Sequence, residues 1–315
     1  MIRSADYSRP RDSSIRSGEV HLVFTFGIWH SAFGVDYNSP MPLVSDPCIC
    51  LRKLDYSETS QILMLLSRSH GIVRVMAKGA HRRTQAGASR FDGGIDLLDA
   101  GQGVFSDDTS RELALLTDWK LEDGHLNLRQ SLRALYLGLY AAELVSLLFQ
   151  EHDSHPEVFD QLQKVLEDLA TARLEQSFLA FELDLLREAG FMPELANCVN
   201  CGGPIGDRSG TYFAPSRGGV VCRNCHSGFP DRLGLDIRLL RLLQMIQAPA
   251  REGGVRRLPQ LSRHQTDPLN LLLAEHMQHA LGQRLRSAYY VLSGRPLADA
   301  QVQRQFACNP LGYGA

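Results

Sequence analysis

Four of the cysteines stand in two Cys-x-x-Cys pairs within the stretch CVNCGGPIGDRSGTYFAPSRGGVVCRNC. The first pair is Cys198 and Cys201, and the second is Cys222 and Cys225. Each pair offers two thiolates from one tight turn, and four thiolates in a tetrahedron are a preferred shell for zinc. The spacing therefore predicts one zinc ion per chain. The alternatives are four reduced cysteines without metal and a redox dithiol.

The role of such a zinc ion follows from its ligands. Four thiolates fill the shell and leave no position for a reactive water, so the predicted role is structural. The sequence lacks the His-x-Glu and Pro-Cys-x-x-Cys pattern of zinc deaminases, and it lacks the paired histidines of a DNA-reading finger. His226 follows Cys225 directly, and we interpret it as a neighbour of the site rather than a ligand.

A second stretch is notable for its charge. Between Thr59 and Phe91 there is no Asp or Glu. Lys and Arg contacts with phosphates would bind nucleic acid without reading its sequence. The alternative is a solvated loop of scattered charges. The residues predicted to contact DNA are Arg74, Lys78, His81, Arg82 and Arg83, with Arg68 and Arg90 at the margins.

Aromatic residues flank this basic stretch but do not enter it, since only Tyr56 and Phe91 bracket it. The sequence thus favours contacts along the nucleic-acid backbone over base stacking. Secondary candidates for DNA contact are the arginines of the cysteine segment, Arg208, Arg217 and Arg223.

Motifs for catalysis are absent from the sequence. There is no phosphate-binding Gly-rich loop, no Gly-x-Ser-x-Gly elbow and no His-Glu-x-x-His pair. Asp92, Asp96 and Asp99 leave a magnesium-dependent nuclease open as an alternative, although Asp is common at strand ends. His276 and His279 are interpreted as packing or surface residues. The prediction is a protein that is not an enzyme.

Length and composition limit the remaining possibilities. The chain has 315 residues and a net charge of −2, which suggests two or three domains and excludes a bulk polycation. No apolar run has the length of a membrane span. Seven cysteines without a disulfide framework favour the reducing cytoplasm. Residues 1–43 are interpreted as a disordered or misassigned leader, with a signal peptide as the alternative.

The region from Val44 to about Asp123 alternates short apolar runs with turns. Strands are predicted at CICLRKL, SQILMLLS and IVRVMAKGA, and again at Ile95–Phe105 and Glu112–Trp119. The run QILMLL is equally compatible with a helix by composition, but His70-Gly71 follows at once and favours a hairpin. Five short strands predict a small barrel or a sandwich.

Near Asn127 the hydrophobic period changes to that of helices. A first helix is expected in LRQSLRALYLGLYAAELVSLLFQ, with one face formed by Leu132, Leu135, Tyr136, Leu139, Ala142 and Leu147. Further helices are expected at His155–Ala170, in RLEQSFLAFELDLLREAG, in LDIRLLRLLQMIQ and in DPLNLLLAEHMQHALGQRLRSAYYVL. The cysteine segment is therefore an insertion between helices, and GTYFAP and GGVVC are expected to be its two strands.

These features together resemble a known family. The block LRKLDYSETSQILMLLSRSHGIVRVMAKGAHRR, followed by FDGGIDLL, REAGFMPEL and CVNCG…CRNC, resembles the bacterial recombination mediator family RecO. The resemblance covers about Val44 to Leu292. It implies an α+β multidomain protein, with an N-terminal OB-fold β-barrel followed by an all-α helical domain. An inserted zinc-ribbon-like element, with the four paired cysteines as its ligands, interrupts the helical domain.

The implied boundaries are 44–124 for the DNA-binding OB-fold, 125–193 and 231–294 for the two parts of the helical domain, 194–230 for the zinc element, and 295–315 for a loose tail. The resemblance also implies binding of single- and double-stranded DNA, strand annealing, and action with RecR and the single-stranded DNA-binding protein SSB to load RecA. The implied place is the cytoplasm, at the nucleoid. Arg129 and Arg133 are guessed to rim a groove for the SSB tail.

Overall fold

Five strands close into a barrel in the order β1-β2-β3-β5-β4. We describe them from a computed structural model of the chain, which describes residues 42–81, 91, 94–106, 112–206, 210–248 and 258–292. The predicted leader and tail lie almost entirely outside these residues. The strands are β1 (Leu43–Asp55), β2 (Gln61–Ser67), β3 (Gly71–Ala77), β4 (Ala100–Ser106) and β5 (Ala114–Asp123). All neighbours pair antiparallel except β3 and β5.

This strand order is that of an OB-fold, so the predicted barrel is confirmed and QILMLL is a strand. The fourth strand begins later than predicted, at Ala100, because the chain turns through a positive φ at Leu98. Inward-facing side chains such as Leu63, Val75, Phe105 and Trp119 fill the barrel.

The outer face of the barrel shares a core with the helices. Ile49, Leu66 and Ile72 project from β1, β2 and β3 into the same buried cluster as the apolar side chains of α1, α2 and α3. These helices are α1 (Leu132–Leu148), α2 (Pro156–Leu169) and α3 (Leu174–Glu188). His152, between α1 and α2, donates its backbone N–H to the carbonyl of Ile72 at 3.0 Å. The barrel and the helices therefore pack as one body.

The predicted face of α1 is only partly correct, because Ala142 is buried as expected but Leu132 is not. Leu132 is 67% exposed, whereas Leu137, Tyr140, Ala141 and Leu144 are fully buried. The sequence of α1 is apolar on nearly every side, so its period alone does not identify the buried side. The elements that pack around α1 decide it.

Three further helices complete the domain: α4 (Ile237–Gln247), α5 (Arg263–Leu281) and α6 (Arg286–Leu292). Asp236 caps α4, and Ser262 with Gln265 forms a capping box at the start of α5. Among the described residues, no helix combines the length and apolar character needed to cross a bilayer.

The cysteine segment forms its own small sheet between α3 and α4. It contains β6 (Thr211–Ala214), β7 (Gly219–Cys222) and β8 (Leu233–Leu235), in the order β7-β6-β8. The two predicted strands are confirmed, and β8 is an addition. Phe213 and Val220 extend from this sheet into the helical core. The element is thus supported by the helices as well as by its own cysteines.

Candidate metal centre and nucleic-acid interface

The two cysteine pairs meet at one point. The sulfurs of Cys198, Cys201, Cys222 and Cys225 all lie within 4.8 Å of one another, and the Sγ atoms of Cys201 and Cys222 are 3.9 Å apart. A tetrahedral zinc shell with Zn–S bonds of about 2.3 Å would separate its sulfurs by about 3.8 Å. The donor set and its spacing therefore fit a metal ion bound by four thiolates.

The backbone shapes each pair into a tight turn. Gly202 donates its N–H to the carbonyl of Cys198 at 2.8 Å and has a φ of +73°, which favours glycine. Cys198 donates its own N–H to the carbonyl of Gly203 at 2.8 Å. Cys225 likewise donates to the carbonyl of Cys222 at 3.1 Å. These turns orient the side chains of each pair toward the shared centre.

Cys198 shows how the backbone favours a thiolate. Burial raises the pKa of its thiol, but backbone N–H groups of Cys222, Cys201 and Asn200 point at the sulfur and lower the pKa to about 6. The N–H of Cys222 lies 3.4 Å from the Cys198 sulfur. Amide donors of this kind stabilise negative charge on sulfur, which is the form that binds metal.

His226 belongs to the surroundings of the centre. Its Nδ1 is 2.5 Å from the carbonyl oxygen of Arg223, and its ring stacks on Tyr212 with centroids 4.3 Å apart. The metal-ligand cluster consists of the four cysteines without His226. Arg217 and Arg223 lie on the same element, and Arg208 lies outside the described residues.

The described part of the basic stretch lies mainly in β2, β3 and the residues directly after β3. Lys78 is exposed directly after β3, and Arg82, Arg83 and Arg90 lie outside the described residues. Ala80 and Phe91 are both buried in the barrel core, at 0% and 3% exposure. Residues 82–90 therefore connect two points fixed in the barrel.

The base of this loop is held by hydrogen bonds. The Nε2 of His81 is 3.3 Å from Oδ1 of Asp55, and the His81 N–H donates to the carbonyl of Thr59. The buried side chain of Gln61 donates to the carbonyl of Ile95 and accepts its N–H at 3.0 Å. Sequence reasoning predicted a DNA contact for His81; in the structure its ring contacts Asp55, and its side chain remains 34% exposed.

Two other predicted contacts face the helical domain. Arg68 forms an ion pair with Asp160 of α2, and Arg74 forms one with Glu151 at the end of α1. Their side chains stay 45% and 38% exposed, so a phosphate can still reach them. The local sequence gave no sign of these acids, because they lie 77 to 92 residues further along the chain.

Family models match the chain over both described parts. The N-terminal part of recombination protein O matches residues 41–125, and its C-terminal part matches residues 129–289. The chain belongs to the RecO family. DNA repair protein RecO of Anaeromyxobacter dehalogenans (strain 2CP-C) is 31% identical over 258 residues, covering 79% of this chain and 96% of that protein.

Other relatives support the same assignment. DNA repair protein RecO of Myxococcus xanthus (strain DK1622) is 31% identical over 252 residues, covering 80% of this chain and 98% of that protein. The RecO of Rhodopirellula baltica is 35% identical over 179 residues, covering 56% and 65%. The resemblance drawn from the motifs is therefore confirmed, and the chain is a DNA repair protein of the RecO family.

The aspartates considered for a nuclease are already engaged in this RecO-family fold. Burial raises the pKa of Asp96, but hydrogen bonds from Lys53 and Arg129 outweigh it and lower the pKa to about 2. Asp99 accepts the N–H of Asp96 at 2.7 Å. Asp92 lies outside the described residues. The described pair thus supports the loop before β4.

Another cluster contains the residue types of a hydrolase triad but not its geometry. Asp46 accepts hydrogen bonds from the hydroxyl of Ser67 and, at 2.7 Å, from the N–H of Ser69. In a triad the histidine separates serine from aspartate. Here the serine bonds to the aspartate directly, and Nδ1 of His70 lies 3.4 Å from Ser67 and 3.5 Å from Asp46. The cluster holds the turn between β2 and β3.

The two arginines guessed to rim a groove differ in their exposure. Arg129 is half-exposed beside Asp96. Arg133 is only 15% exposed and contacts Glu175, Asp267 and the carbonyl of Val291. Arg133 therefore connects α1, α3, α5 and α6 in the interior of the helical domain.

Proposed function

We propose that this protein is a non-enzymatic DNA-binding recombination mediator that anneals complementary single strands. With RecR, it would help load RecA onto DNA coated by SSB. The observation that supports this most directly is the acid-free basic loop, whose two ends are fixed in the end of an OB-fold barrel. Such barrels are common platforms for single-stranded nucleic acid.

The working surface of the proposed mediator begins at Lys78, which is exposed. Arg82, Arg83 and Arg90 follow it in the sequence and supply further cations. Phosphate contacts by these side chains would release counterions and make binding depend steeply on salt. Two strands bound by such contacts keep their base edges free, which is what annealing requires.

We propose that the metal held by the four cysteines is zinc and that its role is structural. Four thiolates leave no open coordination position for a substrate or a reactive water. Because the cysteine turns pack against β6 and β7, the ion would hold this small sheet in place against the helices.

The experiment is a strand-annealing assay on SSB-coated DNA, with a binding titration beside it. Replacing Lys78, Arg82 and Arg83 together with Ala should slow annealing and weaken binding of single-stranded DNA. Losing three phosphate contacts should make the negative slope of log affinity against log salt shallower by about 2.

The matched control replaces three exposed cations of the helical domain, Lys164, Arg173 and Arg284, with Ala. It makes the same change in net charge. Because its residues are not among the proposed phosphate contacts, it should leave the slope nearly unchanged. If both triple variants anneal like the parent protein, Lys78, Arg82 and Arg83 are not the DNA contacts. If the parent protein itself neither binds nor anneals single-stranded DNA, the DNA-mediator function is wrong, and that is the result expected of the competing function, a zinc-ribbon adaptor that acts through protein contacts alone.

A further inference from the structure

The four sulfurs of the metal centre are not equally protected from solvent. Cys198 is 2% exposed and belongs to a small buried apolar cluster within the element. Cys222 and Cys225 are half-buried and pack against the same cluster. All four lie within the described residues, and Cys201 is the one that stays outside the cluster and is exposed. A reagent in the solvent therefore reaches the Cys201 sulfur first.

The turn after Cys201 leaves its sulfur open. Gly202 and Gly203 follow it and carry no side chains. A Cβ on Gly202 would meet nothing within 4 Å, and a Cβ on Gly203 would lie 3.6 Å from the Cys201 sulfur. The sulfur of Cys198, by contrast, accepts the N–H of Cys222 at 3.4 Å. Because burial blocks access and N–H donors draw charge from a thiolate, Cys201 is the more reactive of the two toward an electrophile in solution.

Cys201 also has a second thiol within reach. Its Sγ lies 3.9 Å from that of Cys222, which belongs to the other pair and stands 21 residues further along the chain. The sulfurs of a disulfide are about 2 Å apart, so rotation of the two side chains toward each other by about 2 Å would allow the bond to form. The exposed sulfur therefore lies beside one that can react with it after oxidation.

We propose that Cys201 and Cys222 are a peroxide-sensitive thiol pair whose oxidation releases the metal of this centre. The Cys201 thiolate attacks one oxygen of the peroxide, the O–O bond breaks, hydroxide leaves, and Cys201 becomes a sulfenic acid. The Cys222 thiolate then attacks the Cys201 sulfur and displaces a second hydroxide, which leaves a disulfide. The two thiolates lose two electrons, the peroxide gains them, and two protons from solvent convert both hydroxides to water.

Release of the metal follows from the loss of ligands. Zinc binds thiolates, and the disulfide removes two of the four from its shell. The first cysteine turn would nevertheless stay on β7, because backbone hydrogen bonds hold it there. Val199 donates to Val220 at 3.0 Å, Val220 donates to Glu194 at 2.9 Å, and Glu194 donates to Gly218 at 2.9 Å. The oxidised element therefore keeps its sheet, and reduction of the disulfide restores the metal site.

This inference rests on the proposed structural zinc, because it concerns what the four ligands do when one of them is oxidised. The two ideas fail differently. The zinc proposal requires that the reduced chain binds the ion, whereas the inference requires that peroxide removes it through one particular pair of sulfurs. Zinc content and the identity of the disulfide are separate measurements, and neither depends on the DNA-binding activity.

The experiment treats the zinc-loaded full chain with hydrogen peroxide and follows released zinc with a chromogenic chelator. Peroxide should release about one zinc per chain, peptide mapping should find Cys201 joined to Cys222, and a dithiol reductant with added zinc should restore the metal. Zinc that is retained, zinc that is released equally fast without peroxide, or a disulfide between other cysteines would overturn the inference and leave the structural zinc standing. A reduced chain that binds no zinc would overturn both.

Two variants test the route through Cys201. Gly203→Leu keeps all four ligands, places a side chain beside the Cys201 sulfur, and should slow zinc release by peroxide several-fold. Gly228→Leu is the matched control on the same element, where a Cβ meets nothing within 4 Å, and it should release zinc at the parent's rate. Cys201→His is the second variant, because a shell of three cysteines and one histidine still binds zinc but lacks the attacking thiolate. Release from Gly203→Leu as fast as from the control would overturn the inference.

Discussion

Gly71 lies against the backbone of Asp153 so closely that a Cβ on the glycine would be 2.1 Å from the Asp153 carbonyl oxygen. Gly71 begins β3 with a φ of +68°, and Asp153 lies between α1 and α2. The glycine of the His-Gly turn therefore has two tasks. It permits the left-handed turn, and it lets the barrel approach the helices to backbone contact.

This relationship gives a stability prediction. Gly71→Ala should lower the free energy of unfolding by about 3 kcal/mol or more, because both strain and collision oppose it. Gly190→Ala is the matched control: its φ is +75°, but a Cβ there meets nothing within 4 Å. The control should cost only about 1 kcal/mol. Urea unfolding measures both, and equal losses would contradict the close approach.

The ion pairs of Arg68 and Arg74 predict a gain in DNA binding. Replacing Asp160 with Asn and Glu151 with Gln should free both guanidinium groups for phosphates. Affinity for single-stranded DNA should rise several-fold, and the salt slope should steepen by up to about 1.4. Stability should change little, because exposed ion pairs contribute little.

A control for this variant must change the net charge equally. Glu167→Gln with Asp168→Asn does so at the other end of α2 and should leave the slope unchanged. If both double variants alter binding alike, the effect comes from net charge, and Arg68 and Arg74 do not contact DNA.

The metal centre predicts a bound ion and a loss of stability on its removal. Metal analysis of the purified protein should find about one zinc per chain, and Cys222→Ser should remove it and destabilise the fold by on the order of 4 kcal/mol. A strong chelator should bring the parent protein down to the melting temperature of the variant. Cys48→Ala, in the barrel core, should keep the zinc. A parent protein equally stable without metal would refute the structural role.

Glu182 predicts a dependence of stability on pH. Its side chain is fully buried beside the buried hydroxyl of Tyr140, and burial raises its pKa well above the usual value. Above the ordinary pKa of a glutamate the unfolded chain releases this proton and the folded chain keeps it, so stability falls as pH rises.

Glu182→Gln removes this titration. The variant should therefore gain stability relative to the parent protein as pH is raised from about 4.5 toward 8. Urea unfolding across that range measures the difference. Glu167→Gln, at an exposed position of α2, should give a difference that hardly changes with pH. A flat difference for Glu182→Gln as well would show that its carboxyl group is ionised in the fold.

Local sequence was sufficient for most elements of the fold. Alternation identified β3, the His70-Gly71 turn favoured a strand for β2, and Pro156 marked the start of α2. The spacing of the cysteine pairs predicted that the four sulfurs lie together, because two short turns can bring them together with little help from the rest of the chain. In each case the signal comes from neighbours in sequence, where backbone geometry and side-chain period act directly.

The sequence by itself determined the order of most strands and helices, the cysteine tetrad and the excess of cations before Phe91, but not β8 or the break between α5 and α6. Only the tertiary structure decided that Leu132 faces solvent, that His81 contacts Asp55, and that Arg68 and Arg74 meet acids of the helical domain. The physical reason is distance along the chain. Packing between elements sets the partners of a side chain, and the sequence pattern of its own segment does not specify them.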